Sequence, residues 1–66
     1  MSYDKEVIKK VLKEKNFTDV EIDYDKVLET VEYENGQYIF TMNGTGYVFI
    51  GNTLIDALPG YKRRIN

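Results

Sequence analysis

The dipeptide Asn35-Gly36, set between TVEYE and QYIFTM, constrains the fold of this chain more than any other feature. A two-residue type I′ hairpin turn needs positive φ at both central positions, which Asn and Gly tolerate, and its twist matches that of paired strands. With Asn35 and Gly36 as the turn, Tyr33 stands opposite Tyr38 and Val31 opposite Phe40. That register gathers aromatic and β-branched residues on one face, with Glu32, Glu34, Gln37 and Thr41 largely on the other. A competing pattern overlaps the first arm. Tyr24, Val27, Leu28 and Val31 follow helical spacing, with Asp25 as a cap and Asn35-Gly36 as the stop. For residues 25–34 the hairpin is favoured over the helix.

The rest of the chain is read around this hairpin. YDKEVIKKVLKEK, residues 3–15, is amphipathic: Tyr3, Val7, Ile8, Val11 and Leu12 recur at helical spacing on one stripe. Ser2 is a candidate N-cap, Asp4 and Glu6 sit at the positive end of the helix dipole, Lys13 and Lys15 at the negative end, and Asn16 is a stop. In DVEIDYD, residues 19–25, Val20, Ile22 and Tyr24 alternate with carboxylates, the period of a half-buried strand. A second turn is expected at Asn43-Gly44-Thr45-Gly46, followed by the strand Tyr47-Val48-Phe49-Ile50. That strand is apolar on both faces, so its second face is covered within the fold or meets another protein. TLIDAL, residues 53–58, reads as a short helix capped by Asn52 or Thr53 and ended by Pro59-Gly60. The basic tail 61–66 reads as flexible. The expected fold is α+β: an N-terminal helix on a three- to four-stranded antiparallel sheet, with a short C-terminal helix.

Sixty-six residues make a single small domain, 1–66. A chain of this size buries only roughly 60% of the surface it exposes when unfolded. A homodimer through Tyr47, Val48, Phe49 and Ile50 would enlarge that core. There is no cysteine, no apolar run of membrane-spanning length and no signal-peptide pattern at the N-terminus, so a cytoplasmic protein without membrane attachment is expected.

The absence of His and Cys removes the commonest general base, the thiol nucleophile and the commonest metal ligands, which argues against an enzyme. No cofactor is expected. Asp19, Glu21 and Asp23 match the first ligand positions of an EF-hand loop, but Tyr24 stands where that loop requires Gly and Thr30 where it requires Glu. No metal site is expected. NGTGY lacks the Gly-Lys-Ser/Thr of a phosphate loop and reads as a turn. Lys5, Lys9 and Lys13 line one helix face, and Lys62, Arg63 and Arg64 form a cluster. These residues support an alternative reading as a small nucleic-acid-binding module. A net charge of −2 weighs against direct nucleic-acid contact.

Charge is unevenly spread. Residues 19–34 carry seven acids and only Lys26, a net −6, between flanks of +2 each. The ordinary reading of the acids is a solvated strand face that discourages edge-to-edge aggregation. Solvation alone does not account for a single sign, since like charges in close array repel. Alternate residues of a strand lie about 6.6–6.8 Å apart. Successive phosphates along one DNA strand lie roughly 7 Å apart. Asp19, Glu21, Asp23 and Asp25, with Glu29, Glu32 and Glu34 nearby, are therefore candidate phosphate surrogates.

In its size, its lack of cysteine, its Lys- and Asn-rich composition and the acidic window DVEIDYDKVLETVEYE, the chain resembles small phage-encoded DNA-mimic proteins. These include inhibitors of the bacterial nucleoid protein HU. The resemblance implies a host-takeover function: a non-enzymatic inhibitor that binds a basic DNA-binding host protein, HU-like or similar, and blocks its contact with DNA in the host cytoplasm or nucleoid.

Overall fold

A computed structural model of the chain describes residues 3–63. Two helices, α1 (Lys5–Lys15) and α2 (Tyr24–Glu29), precede four strands: β1 (Glu32–Glu34), β2 (Gln37–Met42), β3 (Thr45–Ile50) and β4 (Thr53–Pro59). The strands form one antiparallel sheet in the order β1-β2-β3-β4, a meander in which each pairs with its neighbour in sequence. The α+β class is as the sequence indicates. The position of the short helix is not.

α1 forms where its apolar stripe and end groups require. Asp4 takes the capping role, its side chain accepting from the Glu6 amide at 2.9 Å; the candidate cap Ser2 lies outside the described residues. Asn16 ends the helix as expected, with Lys13 and Lys15 in the last turn. The Asp4 amide donates to Asn52 Oδ1 at 2.6 Å, which ties the start of α1 to the β3–β4 turn.

The hairpin at Asn35-Gly36 is present with the expected register, Tyr33 opposite Tyr38. Both turn residues have positive φ, at 52° and 82°, and Asn43-Gly44 repeats the geometry at 54° and 74°. For residues 25–34 the two competing patterns are both realised, one after the other. Tyr24–Glu29 is helical, and β1 is shortened to three residues.

Two expectations need correction. Residues 19–25 are not a strand: 18–23 form an irregular segment, and Asp23 caps α2 by accepting from the Lys26 amide at 3.3 Å. Alternation alone cannot pair a strand, and here the acids at 19, 21 and 23 stay in solvent while Asp23 finds an amide to cap. Residues 53–58 are strand and not helix. A bulge in the β3–β4 ladder falls between Val48 and Phe49, where Asp56 opposes Val48 and Leu54 opposes Phe49, so Ile55 is the extra residue. That insertion breaks the two-residue alternation and leaves Leu54, Ile55 and Leu58 at a helix-like spacing.

One face of the sheet holds the core. Phe40 and Phe49 meet edge to face with ring centroids 5.5 Å apart, and Ile8 and Leu12 of α1 bury fully against them. Val27 and Leu28 of α2 and Met42 complete the cluster. Tyr3 extends it, its ring 5.2 Å from Phe40 and 4.8 Å from Tyr38.

The opposite face is covered as well, which resolves the two-sided apolar character of Tyr47–Ile50. Phe49 faces the helices, Val48 is buried on the outer side, and Tyr47 is half-buried; Ile50 remains exposed. After β4 the chain doubles back. Gly60 donates to the Gly44 carbonyl at 2.8 Å, and the Tyr61 ring lies against Gly46. The Tyr61 hydroxyl donates to Glu32 across β2. The first residue of the tail, Tyr61, thus packs back onto the sheet. Residues 64–66 lie outside the described residues.

The acidic segment as a candidate binding surface

The loop between α1 and α2 is built around one side chain. Asn16 Nδ2 donates to the Val20 carbonyl at 3.3 Å and to the Tyr24 hydroxyl at 3.2 Å. Its Oδ1 accepts from the Thr18 amide at 3.1 Å, the Thr18 hydroxyl at 2.7 Å and Asn43 Nδ2 at 3.2 Å. An Asn followed two residues later by Thr has the composition of local side-chain-to-backbone turns, so this hub had a signal in the sequence. Its consequence was not legible. With its polar groups satisfied internally, the loop projects Phe17, 88% exposed, and Val20, 63% exposed, into solvent.

The seven candidate phosphate surrogates separate into different roles. Asp19, Glu21 and Glu29 are exposed and make no hydrogen bond or ion pair among the described residues. Asp23 is exposed but engaged as the α2 cap. Asp25 accepts an ion pair from Lys9 Nζ at 2.8 Å. Glu34 is exposed on β1. Glu32 leaves the surface set: it is only 5% exposed and accepts from Tyr61. Because 19–25 is not a strand, no regular strand-spaced row of carboxylates exists. What remains is an exposed, predominantly acidic surface on the loop and α2, in which Lys26 is the one cation of the window.

The lysine line of α1 is partly neutralised within the chain. Lys9 contacts Asp25 and also Glu6, at 3.5 Å. The hydrogen bond from Lys9, with the added charges of Lys9 and Lys5, holds the Asp25 carboxyl below the ordinary carboxylate range. The same hydrogen bond raises the Lys9 ammonium above its usual value. Lys13 Nζ lies 5.8 Å from the centre of the Tyr24 ring, a cation–π distance. Lys5 borders a shallow depression with Asp25 and Glu29. Lys62 and Arg63 are exposed beyond the anchored Tyr61, and Arg64 lies outside the described residues.

Among the described residues, no three acidic side chains converge in a way that would hold a metal ion, and no helix is long and apolar enough to cross a membrane. A groove of about 370 Å³ lies at the edge strand β4, beside Phe17. The chain matches no protein-family model, no curated protein and no solved structure.

Proposed function

We propose that the chain is a non-enzymatic binding protein that offers its acidic surface to the DNA-binding face of a basic protein in the cytoplasm, and so competes with DNA. An HU-like nucleoid protein is the type of target. One observation carries the reading: within a window of net charge −6, Asp19, Glu21 and Glu29 are exposed and form no hydrogen bond or ion pair among the described residues. Exposed like charges destabilise a free chain slightly, and they gain most when a surface of opposite sign replaces water and counterions. The surrogate set is narrower than the sequence suggests, because Glu32 is buried and Asp25 is paired with Lys9.

The test is a competition measured by fluorescence anisotropy, with labelled duplex DNA bound to HU and increasing amounts of this protein. Displacement of the DNA is expected, weakening as salt rises. The double variant Asp19→Lys/Glu21→Lys should compete at least tenfold less well while keeping its circular dichroism spectrum. Labelled DNA alone should show no rise in anisotropy. Failure to displace at low salt, or an unchanged double variant, would refute the reading. A rise with DNA alone that disappears on Lys5→Ala/Lys13→Ala would favour direct nucleic-acid binding instead.

A further inference from the structure

We infer that the groove at the β4 edge is the contact surface for a second copy of this chain, with Phe17 and Ile55 as its apolar anchors. β4 closes the sheet on one side, so its outer edge has no strand beside it among the described residues. Beside that edge, Phe17, Tyr47 of β3, and Leu54 and Ile55 of β4 line the groove. Phe17 is held outward by the Asn16 hub, and Ile55 is the bulge residue, 45% exposed. A large aromatic displayed on an ordered loop next to an open apolar groove is a pre-organised anchor, and Phe17 has no place in its own chain's core.

The charges select the occupant. The groove is bordered by one cation, Lys15, and one anion, Asp56. A surface carrying one charge of each sign beside an apolar centre is self-complementary under a two-fold axis. An axis passing near Ile55 brings Ile55 against its equivalent and sets Lys15 of each copy towards Asp56 of the other. It also keeps the two Asp56 side chains from facing each other, which a register centred on Asp56 would force. A uniformly acidic or basic partner would leave one of the two border charges opposed. The bulge and Pro59 interrupt the outer edge of β4, so the association works through side chains and not through a continuous intermolecular sheet. Of the strand Tyr47–Ile50 suggested by sequence, only Tyr47 lines this groove; Val48 and Phe49 are consumed within one chain.

Sedimentation velocity or light scattering over a concentration series tests this directly. The wild-type chain should show twice the 7.7 kDa chain mass at high concentration and dissociate on dilution. Phe17→Ser and Ile55→Lys, both at exposed positions, should weaken the dimer at least tenfold with unchanged circular dichroism. Lys15→Asp should do the same, and Lys15→Asp combined with Asp56→Lys should restore the dimer. A mass of one chain at concentrations up to about 1 mM would overturn the inference, since it would place any self-affinity weaker than ~4 kcal/mol. A dimer unaffected by Phe17→Ser and Ile55→Lys would overturn it as well.

Discussion

Replacing Gly46 by Ala should destabilise the chain, and the loss should shrink once the Tyr61 ring is removed. A Cβ at position 46 would stand 2.7 Å from Cγ and 2.8 Å from Cδ2 of the Tyr61 ring. Those atoms lie at the root of the ring, so a rotation of the tip cannot relieve the clash and the whole side chain must shift. Overpacking of this kind costs about 1–3 kcal/mol. Against it, Gly→Ala restricts the unfolded chain and stabilises by about 0.4–1 kcal/mol where the backbone permits. Gly46 does not have positive φ, so this gain is available. The net expectation is a loss of about 1–2 kcal/mol, a drop in Tm of roughly 4–16 °C at this size. Total stability at this length is on the order of 3–10 kcal/mol, so the loss is measurable without abolishing the fold. In a Tyr61→Ala background the two ring contacts are gone and only Cβ of residue 61 remains, 3.0 Å from the new methyl, so the loss from Gly46→Ala should shrink towards zero. Urea titrations of the four proteins, followed by circular dichroism, give the coupling as a double-mutant cycle. Equal effects of Gly46→Ala in both backgrounds would refute the view that the returning tail, and not the backbone, selects glycine at this position.

Removing the α2 cap with Asp23→Ala should cost about 1 kcal/mol, read as a lower urea midpoint, since a six-residue helix has little besides its cap and its two buried residues to hold it. The Lys9–Asp25 pair gives a pH dependence of defined sign. Asp25 titrates lower in the folded chain, so its contribution is present above its unfolded pKa and is lost as pH falls through the depressed folded value. Lys9 titrates higher, so its contribution is present below its unfolded pKa and is lost as pH rises through the raised one. Asp25→Asn should therefore flatten the acid limb of the stability–pH curve at low salt; superimposable acid limbs for the two proteins would count against the pair.

The parts of the fold that the sequence disclosed are those governed by local chemistry. Asn35-Gly36 and Asn43-Gly44 announced their turns because few residue pairs accept two consecutive positive φ values. The second turn is tighter than the expected Asn43-Gly44-Thr45-Gly46, since Thr45 and Gly46 already pair within β3. The stripe from Tyr3 to Leu12 announced α1 because only one face of it can leave water. DVEIDYD misled because period-two alternation is also what an acidic loop shows when a few of its apolar side chains dip towards a helix. Here Ile22 and Tyr24 reach the core and Val20 does not. TLIDAL misled because one bulged residue shifts every later side chain out of phase. Glu32 had no local signal at all: its burial depends on Tyr61, 29 residues away, returning over the sheet. The single-sign charge of the window was plain from composition, but which acids are exposed, paired or capping follows from tertiary contacts that no short window contains.

The meander order of the strands bears on how the chain reaches this state. β1, β2, β3 and β4 are joined by two-residue turns, so the sheet forms by closing only the shortest loops, and little entropy is spent before each ladder begins to return energy. Hairpins of this length form on a microsecond scale, and a topology dominated by near neighbours belongs with the faster-folding small domains. The slow events are then the ones that join distant segments: the docking of α1, whose Asp4 amide must meet Asn52, 48 positions further along the chain, and the return of Tyr61 to Glu32. During synthesis the second of these cannot occur until residue 61 has emerged, so the nascent chain holds one face of its sheet open until then.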